Sequence, residues 1–335
     1  MSNTVPATHT IGVIGAGAWG TALALAAARA GRDVVLWGRD SAAMSDMAIS
    51  RRNARHLPDI DLPANITPTA DPAALAGLEV VLLVVPAQLA EDIISNLSPH
   101  LAGLRLLLLC CKGIVAGRGA FLSQIMGEQL AHVRMGALSG PSFAADVARS
   151  LPTAVTLAIE DESWGEALSQ ALGSPSFRPY WTSDLRGVEI GGALKNVYAI
   201  ASGIVAGRGL GDSARAALIA RAFAEMCRCG LPFGGRSETL SGLSGLGDLV
   251  LTTMSEQSRN LRFGLALGRG EAVETIRARL GTVEGIATAG AISALASRHE
   301  IDMPIAGAVA AILAGILSVE AAIDGLMRRP LRAET

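Results

Sequence analysis

Apolar residues are distributed along the chain in two textures. Up to about residue 184 they form short runs, at Thr10–Ile14, Asp33–Trp37, 80–85, 104–111, 135–138 and 154–159, separated by polar or alanine-rich stretches. Each run has the length of a strand. The 80–85 run is continuously apolar and is closed by Pro86, as expected of a parallel strand covered on both faces. Between the first two runs, residues 21–30 are rich in alanine and end at Gly31, which predicts a helix with a glycine stop. Strand, glycine turn, helix and strand make one βαβ unit. The continued alternation predicts a doubly wound sheet.

From Glu189 onward the texture changes to helical periods punctuated by glycine, with no strand-like run. The chain therefore divides into an α/β front half, 1–186, and an all-α back half, 187–335, with the change of texture near Asp184. Residues 303–319 are the most lipid-like stretch. They fall short of the roughly 20 apolar residues of a membrane span and carry Pro304 and two glycines, so they read as a buried helix. The heptapeptide Gly-Ile-Val-Ala-Gly-Arg-Gly occurs at both 113–119 and 203–209. The flanking residues do not match, so no repeat architecture follows.

Composition narrows the function classes. Half of the 335 residues are hydrophobic and 17% are charged, the balance of a packed globular chain. A net charge of −2 without a basic stripe argues against a nucleic-acid partner. Cys110, Cys111, Cys227 and Cys229 lack the Cys-x-x-Cys spacing of a zinc or redox site, and His9, His56, His100, His132 and His299 are scattered. They read as free buried thiols and unclustered imidazoles, with no metal site. Residues 1–10 lack a basic segment followed by a long apolar run, so no signal peptide is expected and the cytoplasm is the default location.

Three glycines follow the first run. Gly15, Gly17 and Gly20 form Gly-x-Gly-x-x-Gly between a strand and a helix. The first permits a tight turn, the second lets backbone approach a pyrophosphate, and the third allows close helix–strand packing, the arrangement of a Rossmann-type dinucleotide site. The second strand ends in Gly38-Arg39-Asp40. Arg39 suits the 2′-phosphate of NADP and Asp40 the ribose hydroxyl of NAD; NADP is favoured over NAD, and a solvated turn with two opposite charges is the alternative.

The back half holds the candidate chemistry. Lys195 lies in a helical, mostly apolar segment with Gly191, Gly192 and Ala199 one turn away on its own face. Partial desolvation would lower its pKa toward working pH for proton transfer; a snorkelling lysine is the competing reading. Asp248 follows a glycine-rich loop and stands four residues before Thr252. It could orient Lys195 or a substrate hydroxyl, or simply cap a helix. Ser258, Arg259 and Asn260 open another helical segment, with a serine able to cap it and a guanidinium fork suited to phosphate.

Taken together, these segments resemble bacterial NAD(P)-dependent glycerol-3-phosphate dehydrogenase. The resemblance is carried by GAGAWGTALA at 15–24, LSGPSFA at 138–144, GVEIGGALKNVYAIASGI at 187–204, GLSGLGDLVLT at 242–252, SRN at 258–260 and VEG at 283–285. It implies that Lys195 exchanges the proton at substrate C2, and that Lys112 contacts both substrate and cofactor. It implies that Gly140 and Ser142 line the substrate pocket, while Asp248, Ser258, Arg259 and Asn260 bind glycerol 3-phosphate. It also implies that Ala18, Trp19, Arg39, Ala144, Arg259, Val283 and Glu284 join the glycines in the nucleotide site. A small phosphate substrate and a homodimer complete the expectation. The sequence departs from the family pattern at Cys111, Asp146 and Ser213, where Ser, Glu and Asn are usual. Its enzymatic rival is a related hydroxyacid dehydrogenase with a carboxylate substrate; its non-enzymatic rival is an NAD(P)-sensing protein.

Overall fold

The computed structural model describes residues 4–115 and 117–331. The N-terminal segment at 1–3, Ala116 inside the first heptapeptide, and the last four residues of the back half lie outside the described residues.

Eight strands form the central sheet: β1 (Thr10–Ile14), β2 (Asp33–Trp37), β3 (Ile66–Thr69), β4 (Val80–Leu83), β5 (Leu106–Leu109), β6 (Arg134–Ser139), β7 (Thr153–Ile159) and β8 (Phe177–Thr182). Their spatial order is β8-β7-β6-β5-β4-β1-β2-β3. The chain winds outward from β1 to β3, then returns to β4 and winds the other way, so strand order reverses between β1 and β4. Alternate residues of each strand enter opposite layers. Val80 and Leu82 pack on one face with Ile11, Val13, Leu106 and Leu108, and Val81 and Leu83 pack on the other with Ile14, Leu107 and Leu109. Both faces are covered, which is why these strands read as unbroken apolar runs. Helices α1 (Ala18–Arg29), α2 (Ser41–Ser50), α3 (Ala90–Leu97), α4 (Leu122–Gln129), α5 (Ala144–Ala148) and α6 (Glu162–Leu172) complete the front half.

Two strands escape the hydrophobic pattern, β3 and β8. They are the two edges of the sheet and carry Pro68 and Pro179. An edge strand has one ladder to satisfy and so tolerates proline. β6 and β7 pair antiparallel, which makes the sheet mixed. Helix α1 begins at Ala18, earlier than the alanine run suggests, because the glycine turn itself opens the helix.

Among its described residues the back half holds helices and no strand: α7 (Leu185–Gly207), α8 (Asp212–Gly230), α9 (Ser237–Ser241), α10 (Asp248–Met254), α11 (Arg259–Gly268), α12 (Val273–Leu280), α13 (Glu284–Arg298), α14 (Pro304–Leu313) and α15 (Val319–Met327). Asp184 caps α7 by accepting from the Gly187 N–H at 2.7 Å, so a division at 186/187 falls inside the first turn of this helix. The apolar stretch 303–319 is not one helix. It breaks after Leu313, Gly315 turns with φ +70°, and Ser318 caps α15. By length and composition, the one helix able to cross a membrane among the described residues is α7, yet 89% of its apolar window is buried in the protein. It is the axis of the back half.

α7 and α11 meet backbone to backbone. A Cβ on Gly203 would lie 2.2 Å from the Leu261 carbonyl oxygen, and one on Gly264 would lie 2.0 Å from that of Ile200. The two halves also interlock. Val188 of α7 belongs to a front core, while Ile114 and Phe121, from a small hairpin after β5, belong to the helical core.

Candidate active site

The glycine turn lies where strand order reverses, the position at which open α/β sheets bind ligands. Its three glycines answer three different constraints. Gly15 has φ +115°, and a Cβ there would lie 2.4 Å from the Val84 carbonyl oxygen just beyond β4. A Cβ on Gly20 would come within 1.7 Å of the Gly15 carbonyl oxygen. One on Gly17 would meet nothing within 4 Å. Protein packing thus demands the outer glycines, whereas the middle one leaves bare backbone open at the N-terminus of α1. That cradle, with the positive end of a 12-residue helix behind it, fits a dinucleotide pyrophosphate.

At the end of β2 the two charges part company. Asp40 caps α2, accepting from the Ala43 N–H at 3.0 Å, while Arg39 is exposed. The acidic side chain is engaged by the helix, and the guanidinium is on the surface, where an anion can reach it.

The second group of side chains converges on Asp248, which is fully buried. Its Oδ1 accepts from Lys195 Nζ at 2.5 Å and its Oδ2 accepts from Lys112 Nζ at 2.8 Å. Thr252, one turn along α10, donates to Oδ1 at 3.2 Å. Asp248 therefore does not act as the N-cap its sequence context suggests. A π-turn over Leu243–Gly247 runs directly into α10, so Asp248 already has helical neighbours and projects its carboxylate sideways to α7. Lys195 does not snorkel, since it is 6% exposed. The small residues on its face explain the close approach. A Cβ on Gly191 would lie 2.5 Å from the Ser244 carbonyl oxygen, and one on Gly192 would lie 2.9 Å from Ser139 Oγ.

Burial lowers the Lys195 pKa to about 7, against the opposing pull of Asp248 and with a further push from Lys112. Burial would raise the Asp248 carboxyl, but the two ammonium groups outweigh it and hold the carboxyl below its usual range. The result is an anion flanked by two cations, one of which titrates near neutrality. Lys112 reaches two further groups. Its Nζ lies 3.4 Å from the Gly140 carbonyl oxygen and 5.9 Å from the centre of the Trp19 ring, which joins the nucleotide turn to the lysine cluster. Ser142 donates to the same Gly140 carbonyl at 3.0 Å.

The N-terminus of α11 sits beside this cluster. Ser258 caps it, accepting from the Leu261 N–H at 3.2 Å. Asn260 donates to Asn196 Oδ1 at 2.9 Å and accepts from the Gly285 N–H at 3.0 Å, which ties α11 to α7 and to the start of α13. Asn196 in turn donates to Glu284 at 3.4 Å. Burial raises the Glu284 carboxyl in spite of nearby Lys112, Arg259 and Lys195. Arg259 is exposed at the helix tip. Val283 is 5% exposed and packs in the helical core at the N-cap position of α13, so its side chain is turned into the protein. Ala144 opens α5 and packs beside α1 through the front core.

The fold thus brings Lys112, Lys195, Asp248, Gly140, Ser142 and Trp19 into one cluster, and Asn260 and Glu284 into an adjoining network. Arg39 lies on the surface just beyond the end of β2. Asn196, whose amide links α7 to α11 and Glu284, had no role in the sequence reading. One signal was present: a residue next to Lys195 on a helix is turned by about 100° and must face different neighbours.

A doubly wound sheet with a glycine cradle where its strand order reverses, facing helices that carry a buried Lys-Asp-Lys cluster, defines an NAD(P)-dependent oxidoreductase. Comparison with known proteins makes the class specific. The models of the NAD-dependent glycerol-3-phosphate dehydrogenase N-terminus and C-terminus match residues 10–165 and 184–324. The chain belongs to this family. It is 56% identical to a glycerol-3-phosphate dehydrogenase (NAD(P)+) of Azorhizobium caulinodans, over 97% of this chain and 98% of the relative. It is 55% identical to one of Methylobacterium radiotolerans, with the same coverage. The crystal structure of glycerol-3-phosphate dehydrogenase from Coxiella burnetii superposes with a TM-score of 0.91 at 41% identity, covering 96% of this chain and 99% of that one.

Proposed function

We propose that this chain reduces dihydroxyacetone phosphate reversibly to sn-glycerol 3-phosphate, with Lys195 as the group that exchanges the proton at the C2 oxygen, and so supplies glycerophospholipid synthesis. The observation that carries the reading is the buried carboxylate of Asp248 shared between Lys195 and Lys112. A bound nicotinamide supplies the two electrons, as hydride, to C2 and accepts them in the reverse direction. The remaining work falls to side chains.

Protonated Lys195 donates to the C2 oxygen as it gains negative charge and, already positive, stabilises that charge beforehand. In the oxidation direction neutral Lys195 accepts the hydroxyl proton. A pKa of about 7 makes both states accessible near neutrality. Asp248 stays ionised and aims both ammonium groups, and Lys112 adds a second positive charge at the substrate and cofactor. Gly140 and Ser142 line the substrate pocket. Ser258, Arg259 and Asn260 at the tip of α11 hold the phosphate. Because the Asn260 carbonyl and one amide N–H are engaged within the protein, its remaining N–H is the donor available. Phosphate binding orients the carbonyl for attack.

The dinucleotide is held by Gly15, Gly17, Ala18, Trp19, Gly20, Arg39, Lys112, Ala144, Arg259, Val283 and Glu284. With Asp40 committed to its helix cap, Arg39 is the group left for a 2′-phosphate, which favours NADP. The enzyme acts in the cytoplasm as a homodimer; a monomeric mass by light scattering would remove the dimer. The deciding assay follows absorbance at 340 nm with dihydroxyacetone phosphate, in parallel with NADH and NADPH, against β-hydroxyacids with the oxidised cofactors. Oxidation of cofactor that depends on dihydroxyacetone phosphate, faster with NADPH, is expected. Turnover of the hydroxyacids alone, or of no substrate, overturns the reading.

A further inference from the structure

Outside the main sheet, Arg52–Asn53 pairs with Leu57–Asp61 as a small antiparallel hairpin. Its base is closed by Arg51, a non-glycine residue at φ +57°, whose guanidinium donates to the carbonyls of Leu62, Pro63 and Ile66. Asn53 is 3% exposed. Its amide nitrogen donates to the Ala16 carbonyl at 3.0 Å and to Thr21 Oγ1 at 2.7 Å. Ala16 lies between the first two glycines of the nucleotide turn, and Thr21 lies in the first turns of α1. One buried amide therefore spans from hairpin to glycine turn to helix.

The geometry of the peptide unit gives this contact a consequence. In a trans peptide the C=O and N–H vectors point in opposite directions. Holding the Ala16 carbonyl toward Asn53 aims the N–H of Gly17 the other way, out of the protein. On that side a Gly17 Cβ would touch nothing within 4 Å, so the donor faces open space at the N-terminus of α1. A glycine-flanked peptide is otherwise free to rotate, because Gly17 accepts a wide range of dihedrals. Within the turn itself, Gly15 donates its N–H to Trp37 and Gly17 accepts from Thr21, and neither bond fixes the peptide between Ala16 and Gly17.

We infer that Asn53 is a positioning residue for the dinucleotide: it locks the Ala16–Gly17 peptide plane so that the Gly17 N–H is presented to the pyrophosphate before the cofactor arrives. This rests on the reading of the glycine turn as the pyrophosphate site. Asn53 touches neither cofactor nor substrate. Its effect falls on cofactor affinity, through preorganisation, and leaves the chemistry of Lys195 alone.

The test measures Kd for NADPH and NADH by fluorescence titration of the full chain, with kcat at saturating cofactor and the KM for dihydroxyacetone phosphate alongside. Asn53→Ala should raise both Kd values about tenfold. Asn53→Asp keeps the shape but replaces the donor with an acceptor, and should weaken binding at least as far. In both, kcat and the KM for dihydroxyacetone phosphate should stay within about twofold of the parent. Gly17→Val fills the cradle and tests the site itself. If Gly17→Val binds cofactor normally, the pyrophosphate reading fails. If Gly17→Val abolishes binding while Asn53→Ala and Asn53→Asp bind as the parent does, the latch alone is overturned. A fall in kcat with unchanged cofactor affinity in the Asn53 variants also overturns it.

Discussion

The nucleotide turn and the lysine–aspartate cluster meet at Trp19 and Lys112, but they are made from different parts of the polymer. The turn is backbone. Its donors are N–H groups within six consecutive residues, 15–20, and what matters is where side chains are missing. The cluster is side-chain charge. Lys112, Lys195 and Asp248 come from a loop after β5, from α7 and from α10, and the two ammonium groups hold the Asp248 carboxyl below its usual range. A backbone site carries fixed partial charges that no pH change removes, so damage there should appear as lost affinity. A site of coupled charges stores its function in protonation, so damage there should appear in turnover and in pH dependence.

That division can be broken most severely at Lys195. Lys195→Ala should lower kcat by roughly 10³-fold with the Kd for NADPH nearly unchanged; near-normal turnover would remove Lys195 from the mechanism. If Lys195 has the role proposed, reduction in the parent requires the protonated amine and oxidation the neutral one. kcat for reduction should therefore fall as pH rises through about 7, and kcat for oxidation should fall as pH drops below it. A flat profile in both directions would contradict the assignment. Asp248→Asn comes next. It leaves two ammonium groups facing each other without a counter-charge, one of them buried, so kcat should fall about 10²-fold and stability by about 3–5 kcal/mol. Thermal denaturation matching the parent would show that the charges relax apart.

Smaller effects separate affinity from turnover. Arg259→Ala should raise the KM for dihydroxyacetone phosphate by roughly 10- to 100-fold, the range for a charge-assisted bond to phosphate; an unchanged KM would count against its place at the phosphate. Arg39→Ala should weaken NADPH about tenfold and leave NADH unaltered. Equal loss of both cofactors would assign Arg39 to some part common to them rather than to the 2′-phosphate.

Legibility in the sequence followed the same division. The glycine turn could be read almost completely, because its constraints act between near neighbours in the chain. The inner strands were legible because both of their faces are buried. The edge strands were not, since Pro68 and Pro179 interrupt the pattern at positions where only one ladder must form. Lys195 and Asp248 could be picked out singly, each with a plausible structural alternative. That Asp248 orients Lys195 was one of the two partners the sequence offered for it; that Lys112 shares the same carboxylate was not visible, because three residues far apart in sequence meet only through tertiary packing. The joint role of Asn196, Asn260 and Glu284 was hidden for the same reason.

The repeated heptapeptide marks the limit most directly. At 113–119 its Ile-Val pair is a strand, Ile114–Val115, and the chain turns back through Gly117 and Gly119 at φ +84° and +57°. At 203–209 the same residues form the end of α7, where Gly207 is helical and only Gly209 takes a positive φ, +67°. In the helical copy Gly203 and Gly207 admit the backbone of α11, within 2.2 and 2.3 Å of where their Cβ atoms would be. The sequence by itself determined the alternation of front-half elements, the glycine turn between β1 and α1 and the residue types capable of proton transfer, because periodicity and short-range sterics act locally. Tertiary structure alone decided which conformation each heptapeptide takes, how deeply Lys195 is buried and which carboxylate faces it. Those outcomes depend on the surfaces that distant segments present to one another.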